Sequence, residues 1–141
     1  MSTLSTLHGY WAYLTLAMLL IASINALAGF YGNKEFKMAK DLRISLFALI
    51  FTHIQLVLGI LVYVTGFSQW SKGNIMGDDF LRLILIEHPT INIIAIALIT
   101  IGWSKHKKQA TSKHKFGKIA LFYTIGLVLI LLRIPYDIWL K

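Results

Sequence analysis

The sequence predicts an all-α integral membrane protein, a bundle of four helices that each cross a lipid bilayer once. Its 141 residues are enough for one domain. The composition is 57% hydrophobic and 14% charged, whereas soluble domains are roughly half apolar and about a quarter charged. Long apolar stretches account for this excess, and short polar segments separate them.

The predicted spans are stretches near the roughly 20 residues that a helix needs to cross about 30 Å of hydrocarbon. Each is apolar nearly all round, whereas a helix of a soluble bundle would carry a polar stripe. No lysine or arginine precedes the first stretch, so we expect a span there and not a cleavable signal peptide. The spans cover residues 10–30, 44–66, 80–103 and 119–140 of a single domain, 1–141.

The distribution of lysine and arginine predicts which helix ends face the cytoplasm. Ten of the fourteen basic residues lie in the first and third connecting segments, residues 31–43 and 104–118. Cytoplasmic segments carry an excess of basic residues, so both termini are expected outside, an N-out/C-out topology. We interpret His106 and His114 as solvated loop histidines, in a segment whose lysines face anionic lipid.

Several functions are not expected from this composition. The chain has no cysteine, which excludes disulfides, thiolate metal sites and cysteine nucleophiles. The formal charge of +8 is divided between short segments and is not collected on one folded face, so no nucleic-acid partner is expected. The sequence contains no phosphate-binding glycine loop, no HExxH pair and no GxSxG elbow, so hydrolytic catalysis is poorly supported.

Histidines inside the spans are the first functional candidates, because ionisable groups are costly in hydrocarbon. His53 lies in the middle of the second span. It would suit an axial ligand of a buried porphyrin, or a neutral side chain bonded to a backbone carbonyl or another helix. His88 precedes Pro89, which is expected to weaken or kink the third helix. His88 would then bind a cofactor in the space opened there, or fill the polar gap of a packing kink.

Further candidates lie near the predicted outer edge of the bundle. His8, at the mouth of the first span, is an alternative haem ligand to His53. Arg82 or Arg133 would neutralise Glu87 or a haem propionate. Alternatively, Arg133 forms an interfacial ion pair with the residue four positions later, Asp137.

Four segments carry a resemblance to known proteins: HGYW at 8–11, THIQLVLG at 52–59, EHP at 87–89 and the run 100–108. They resemble a family of small four-helix bacterial membrane proteins described as cytochrome b-like, and the likeness covers nearly the whole chain. The segment 53–59 is also similar to haem A synthase, whose halves are four-helix bundles with histidines on haem. The resemblance implies a haem-binding bundle in the bacterial inner membrane.

Together these observations lead to one expected function and one alternative. We expect one haem b for membrane electron transfer, with iron bound by His53 and His88 or by His8 and His88, and with Arg82 or Arg133 near its propionates. A quinol or a partner membrane subunit would exchange electrons with it. The alternative is a haem-free accessory or scaffold subunit of a larger membrane complex, or a homo-oligomer, and neither role is that of a stand-alone enzyme. Such a subunit would use small residues of the first helix for helix contacts: Ala22, Ala26 and Gly29.

The orientation is tested by topology reporters fused to the chain. A fusion at Lys141 is expected to report an external location, and a fusion near Lys107 a cytoplasmic one, because the basic segments stay inside. The phosphatase activity and the fluorescence of reporters fused at the two positions are measured and distinguish the orientations. The reverse pattern would overturn the predicted topology.

Overall fold

The structure, a computed structural model, describes residues 3–140, and within them every regular element is helical. Two single-turn π-helical segments, Met38–Leu42 and Leu83–Glu87, lead directly into longer α-helices. In chain order the α-helices are α1 (Thr3–Tyr31), α2 (Arg43–Trp70), α3 (Asp79–Arg82), α4 (His88–Lys107), α5 (Ser112–Leu132) and α6 (Tyr136–Trp139).

Four helical segments are long and apolar enough to cross a membrane, in agreement with the predicted all-α class. The last predicted span, 119–140, is divided in the structure. Helix α5 ends at Leu132 and α6 begins at Tyr136, because Pro135 has no N–H to donate and disfavours helical geometry at the residue before it. These four segments are Thr3–Tyr31, Met38–Trp70, Asp79–Lys107 and Ser112–Leu132.

The bundle closes through four neighbouring helix pairs. Helix α1 packs against α2 and α5, and α4 packs extensively against α5 and less extensively against α2. The Tyr123 hydroxyl in α5 donates a 2.8 Å hydrogen bond to the Ser45 carbonyl in α2, which joins two helices across the bundle.

The buried core occupies the half of the bundle nearest the lysine-rich segments. It is formed by the C-terminal parts of α1 and α4, the N-terminal part of α2 and most of the length of α5. The opposite half, where the chain enters α1 and leaves α2, contributes few buried residues. The core consists of Leu19, Ala22, Ala26, Ala48, Ala95, Ile99, Phe116, Ile119, Ala120, Tyr123, Leu127 and Ile130.

Close helix approach in this half depends on glycine. A Cβ atom at Gly29 of α1 would lie 2.5 Å from the Phe116 ring of α5, and one at Gly102 of α4 would lie 2.5 Å from the Cβ of Phe122. The small residues of α1 are therefore used inside the bundle. Ala22 and Ala26 are 0% and 1% exposed, so their helix contacts lie within this chain.

The substitution Gly102→Ala tests this packing. It is expected to destabilise the protein by about 1–3 kcal/mol, because the Phe122 Cβ cannot move without its backbone and overpacking a tight contact costs that much. The measurement is the thermal unfolding midpoint of the purified protein in detergent. Gly9→Ala is the matched control, since a Cβ there would lie at ordinary contact distance, 3.5 Å, from Trp139. Equal midpoints for the two variants would contradict the proposed role of Gly102.

Candidate functional site

A cavity of about 540 Å³ occupies the half of the bundle opposite the core. Its size is within the roughly 300–1,000 Å³ typical of small-molecule and cofactor sites. The walls come from the beginning of α1, the later half of α2, the beginning of α4 and the region from α5 to α6. Tyr10 and Tyr13 line it and are 69% and 50% exposed, so the cavity reaches the outer surface of the bundle.

Two histidines from different helices line this cavity together. His8 of α1 and His88 of α4 have ring centroids 6.3 Å apart, with the ring planes at 78°. Both residues are partly buried. Of the two expected histidine pairs, the structure thus brings together the one that includes His8.

His88 is positioned by an irregular entry into α4. In the π-helical turn Leu83–Glu87 the backbone N–H of His88 donates to the Leu83 carbonyl, five residues back. Pro89 has no N–H to offer the Leu85 carbonyl, four residues before it. The Tyr63 hydroxyl of α2 donates a 3.0 Å hydrogen bond to that oxygen instead. The expected irregularity at Pro89 is thus a π-turn that α2 stabilises.

The His88 imidazole is oriented by the end of α5. Its Nδ1 lies 2.9 Å from the Arg133 carbonyl, which accepts only hydrogen bonds, so we assign the proton to Nδ1. The Asn92 amide nitrogen lies 3.2 Å from the same Nδ1 but donates at 2.6 Å to the His88 carbonyl. In this tautomer the lone pair of the ring is on Nε2.

The His8 imidazole packs against α2. A Cβ at Gly59 would lie 3.1 Å from its Cε1 atom, so glycine makes room for the ring. Gln55, one helical turn earlier, donates a 2.8 Å hydrogen bond from Nε2 to the His8 carbonyl. His8 Nδ1 and Gln55 Oε1 are buried and have no hydrogen-bond partner among residues 3–140. Gln55 and Gly59, four residues apart on α2, therefore both contact His8.

His53 lies elsewhere on α2. Its side chain is exposed on the outside of the bundle and is not among the residues that line the cavity. Its Nδ1 is 2.7 Å from the Leu49 carbonyl, and its Nε2 is 3.4 Å from the Thr100 hydroxyl of α4. These contacts correspond to the interpretation of His53 as a side chain bonded to a backbone carbonyl and to another helix.

A charge cluster lies beside His88. The Glu87 carboxylate accepts a 2.9 Å hydrogen bond from Arg82 Nε and lies 3.3 Å from Arg133 Nε. Arg82 also binds Asp79 at 2.7 Å. The expected neutralisation of Glu87 therefore involves both arginines. The alternative pair between Arg133 and Asp137 is not formed, because α5 ends before Arg133 and the two residues do not share a helix face.

Sequence reasoning missed two buried polar residues near the lysine-rich end. His106 was interpreted as a solvated loop residue, but it belongs to the last turn of α4, is 1% exposed and contacts the rings of Phe36 and Trp103. Asp41, not considered as a candidate, is 3% exposed. Helical spacing was the available signal. His106 continues the buried positions Ala95, Ile99 and Gly102, and Asp41 precedes Ser45, Ala48 and Thr52 at the same spacing.

Comparison of the chain with protein-family models, curated proteins and solved structures gave no match. The interpretation of the site thus depends on its residues. Within residues 3–140, no group of three or more His, Cys, Asp or Glu side chains converges. His8 and His88 are the two histidines that line the cavity, and their rings lie close together.

The substitution Glu87→Gln tests the charge cluster. It is expected to lower the unfolding midpoint, because removing one partner of a partly buried ion pair leaves both arginines without their shared counter-charge. Asp79→Asn is the control: it removes a carboxylate from the same arginine, but the Asp79 side chain is 93% exposed, where ion pairs contribute little. Thermal unfolding in detergent measures both, and an equal effect of the two substitutions would contradict the proposed role of Glu87.

Proposed function

We propose that the chain is a multi-pass protein of the bacterial inner membrane that binds one haem b between His8 and His88 and transfers electrons. The observation that carries the proposal is the separation of the two imidazoles across one cavity. Insertion through the four apolar segments is supported by their length and composition, and the N-out/C-out orientation by the distribution of basic residues.

The spacing of the two rings fits a single iron between them. With a metal–nitrogen distance of about 2 Å on each side, the centroids of two axial imidazoles lie roughly 6 Å apart. The observed separation is 6.3 Å. In the described part of the chain His53 shares no such arrangement with His88, so we propose His8 as the second ligand.

The hydrogen-bonding groups around the rings also fit a metal ligand. Ligating histidines almost always donate their second N–H to a carbonyl or carboxylate, which fixes the tautomer. His88 Nδ1 has this partner in the Arg133 carbonyl, and its Nε2 is left for metal. For His8, the unpaired Nδ1 and the unpaired Gln55 Oε1 are a complementary donor and acceptor, and pairing them would likewise leave Nε2 for metal.

Arg82, Glu87 and Arg133 are not among the residues that line the cavity, but Glu87 directly precedes His88 in the chain, so the charge cluster would hold propionates at the edge of the cavity. Arg82 is already engaged by Glu87, Asp79 and the Met76 carbonyl. Arg133 is more available, because its side chain is 49% exposed and its Nη2 takes part in no hydrogen bond described for residues 3–140. We therefore propose Arg133 as the principal propionate partner and Arg82 as the residue that holds Glu87.

Electron transfer is the activity that this ligand set favours. Bound haem supplies one-electron chemistry, and two histidine ligands leave no open position on iron for oxygen. The protein contributes an apolar cavity and fixed imidazoles. Because the cavity reaches the surface beside Tyr10 and Tyr13, a quinol or a partner subunit would exchange electrons at that edge.

Absorbance spectra of the purified protein with added haem test the proposal. The wild-type protein is expected to show reducible haem b bands, and His8→Ala and His88→Ala each to abolish or shift them. His53→Ala is the matched control, with an unchanged spectrum, because that residue lies outside the cavity. Circular dichroism checks that every variant remains helical.

Two results would contradict the assignment. Loss of the bands in His53→Ala with retention in His8→Ala would return the ligand role to His53. Absence of haem bands from the wild-type protein would favour the haem-free accessory or scaffold subunit.

A further inference from the structure

A second cavity, of about 340 Å³, lies at the opposite end of the molecule from the histidine pair. It is formed where α1 ends and the chain turns into α2. Asn25 and Phe116 contribute to its walls from α1 and α5. The remaining lining residues are charged: Lys34, Glu35, Lys37, Lys40 and Asp41.

Asp41 is the unusual member of this set because it is 3% exposed. Its Oδ1 accepts a 2.9 Å hydrogen bond from the Asn25 side chain, and its Oδ2 accepts a 2.8 Å bond from the Lys37 backbone N–H. Among the ion pairs of residues 3–140 none includes Asp41. A carboxylate accepts up to about four hydrogen bonds, so each oxygen retains capacity for one more donor.

The charges around the cavity select the kind of ligand. A buried carboxylate without a counter-charge is costly, so an occupant with a cationic donor would stabilise it. A simple cation would meet the three lysines of the lining, and a simple anion would meet the carboxylates of Asp41 and Glu35. An occupant that carries both an ammonium and a phosphate satisfies both groups.

We propose that this cavity binds the headgroup of a phosphatidylethanolamine molecule. The ammonium donates to the Asp41 carboxylate, and the phosphate lies among Lys34, Lys37 and Lys40. Exposed apolar side chains of the adjoining helices α1 and α2 would contact the acyl chains; they include Ile24, which is 57% exposed, and Phe47, which is 48% exposed. The site is separate from the histidine pair, and its test does not depend on haem.

Lipid-dependent thermal stability of the full chain tests the proposal. The protein is purified in a non-ionic detergent, and its unfolding midpoint is measured against added short-chain phosphatidylethanolamine, phosphatidylcholine or phosphatidylglycerol. Phosphatidylcholine is the matched ligand control, since its headgroup has the same two charges but no N–H donor. Phosphatidylethanolamine is expected to raise the midpoint at a concentration about tenfold lower, because charge-assisted hydrogen bonds are lost with choline.

Variants connect the preference to this cavity. Asp41→Asn is expected to remove the difference between the two lipids, and Lys34→Gln with Lys40→Gln to weaken binding of both. The two lysines are exposed, so their variant remains informative if Asp41→Asn fails to fold. Lys72→Gln is the control: this exposed lysine lies just after the far end of α2, and its substitution is expected to leave the lipid response unchanged.

Four outcomes would overturn the proposal. Equal stabilisation by phosphatidylcholine would exclude recognition of the ammonium, and stronger stabilisation by phosphatidylglycerol would make this an anionic-lipid site. No response to any lipid would mean that the lysines alone neutralise Asp41. Stabilisation by soluble O-phosphoethanolamine at the same concentration as the lipid would assign the site to a soluble phosphoamine.

Discussion

The close approach of α5 to α1 and α4 is the constraint on which the rest of the structure depends. Gly29 and Gly102 permit it, because any side chain there would overlap Phe116 or Phe122. Small residues let helix backbones approach closely where no hydrophobic driving force acts between helices. The contact concentrates the packed core in the lysine-rich half of the bundle, and the other half is left open as a cavity.

In the open half, the backbone is irregular where α4 begins, and neighbouring helices form hydrogen bonds with the groups around this irregularity. Pro89 removes a donor at the point where α4 begins, and the preceding turn widens to π geometry. The Leu85 carbonyl is satisfied by Tyr63 of α2, and the His88 ring is held by the Arg133 carbonyl where α5 ends. The π-turn before α4 and the end of α5 therefore both position the same residue, His88.

The two ends of the bundle differ in how their buried charges are balanced. Glu87, beside the larger cavity, lies between two arginines. Asp41, at the other end, is more deeply buried and is held by neutral donors, with lysines around it. A carboxylate paired with arginines contributes to the framework of a site, whereas one held by neutral donors keeps capacity for a further donor, which the proposed ammonium headgroup would supply. This difference separates the structural role of one acid from the ligand-binding role proposed for the other.

The length and apolarity of the stretches determined the helical class and the number of long helices, and the chemistry of proline determined the irregularity before α4. Gln55 and Gly59 are four residues apart, so helical periodicity places them on one face of α2, and both contact His8. The sequence could not determine which histidines meet. Periodicity defines an angle about one helix axis, but the partner of His88 depends on the order of the helices, on the depth of each residue and on where α5 ends. For the same reason, only the tertiary structure shows that the His53 side chain lies on the outer surface of the bundle and that His106 and Asp41 are buried. Burial is decided by the helices that pack around a residue.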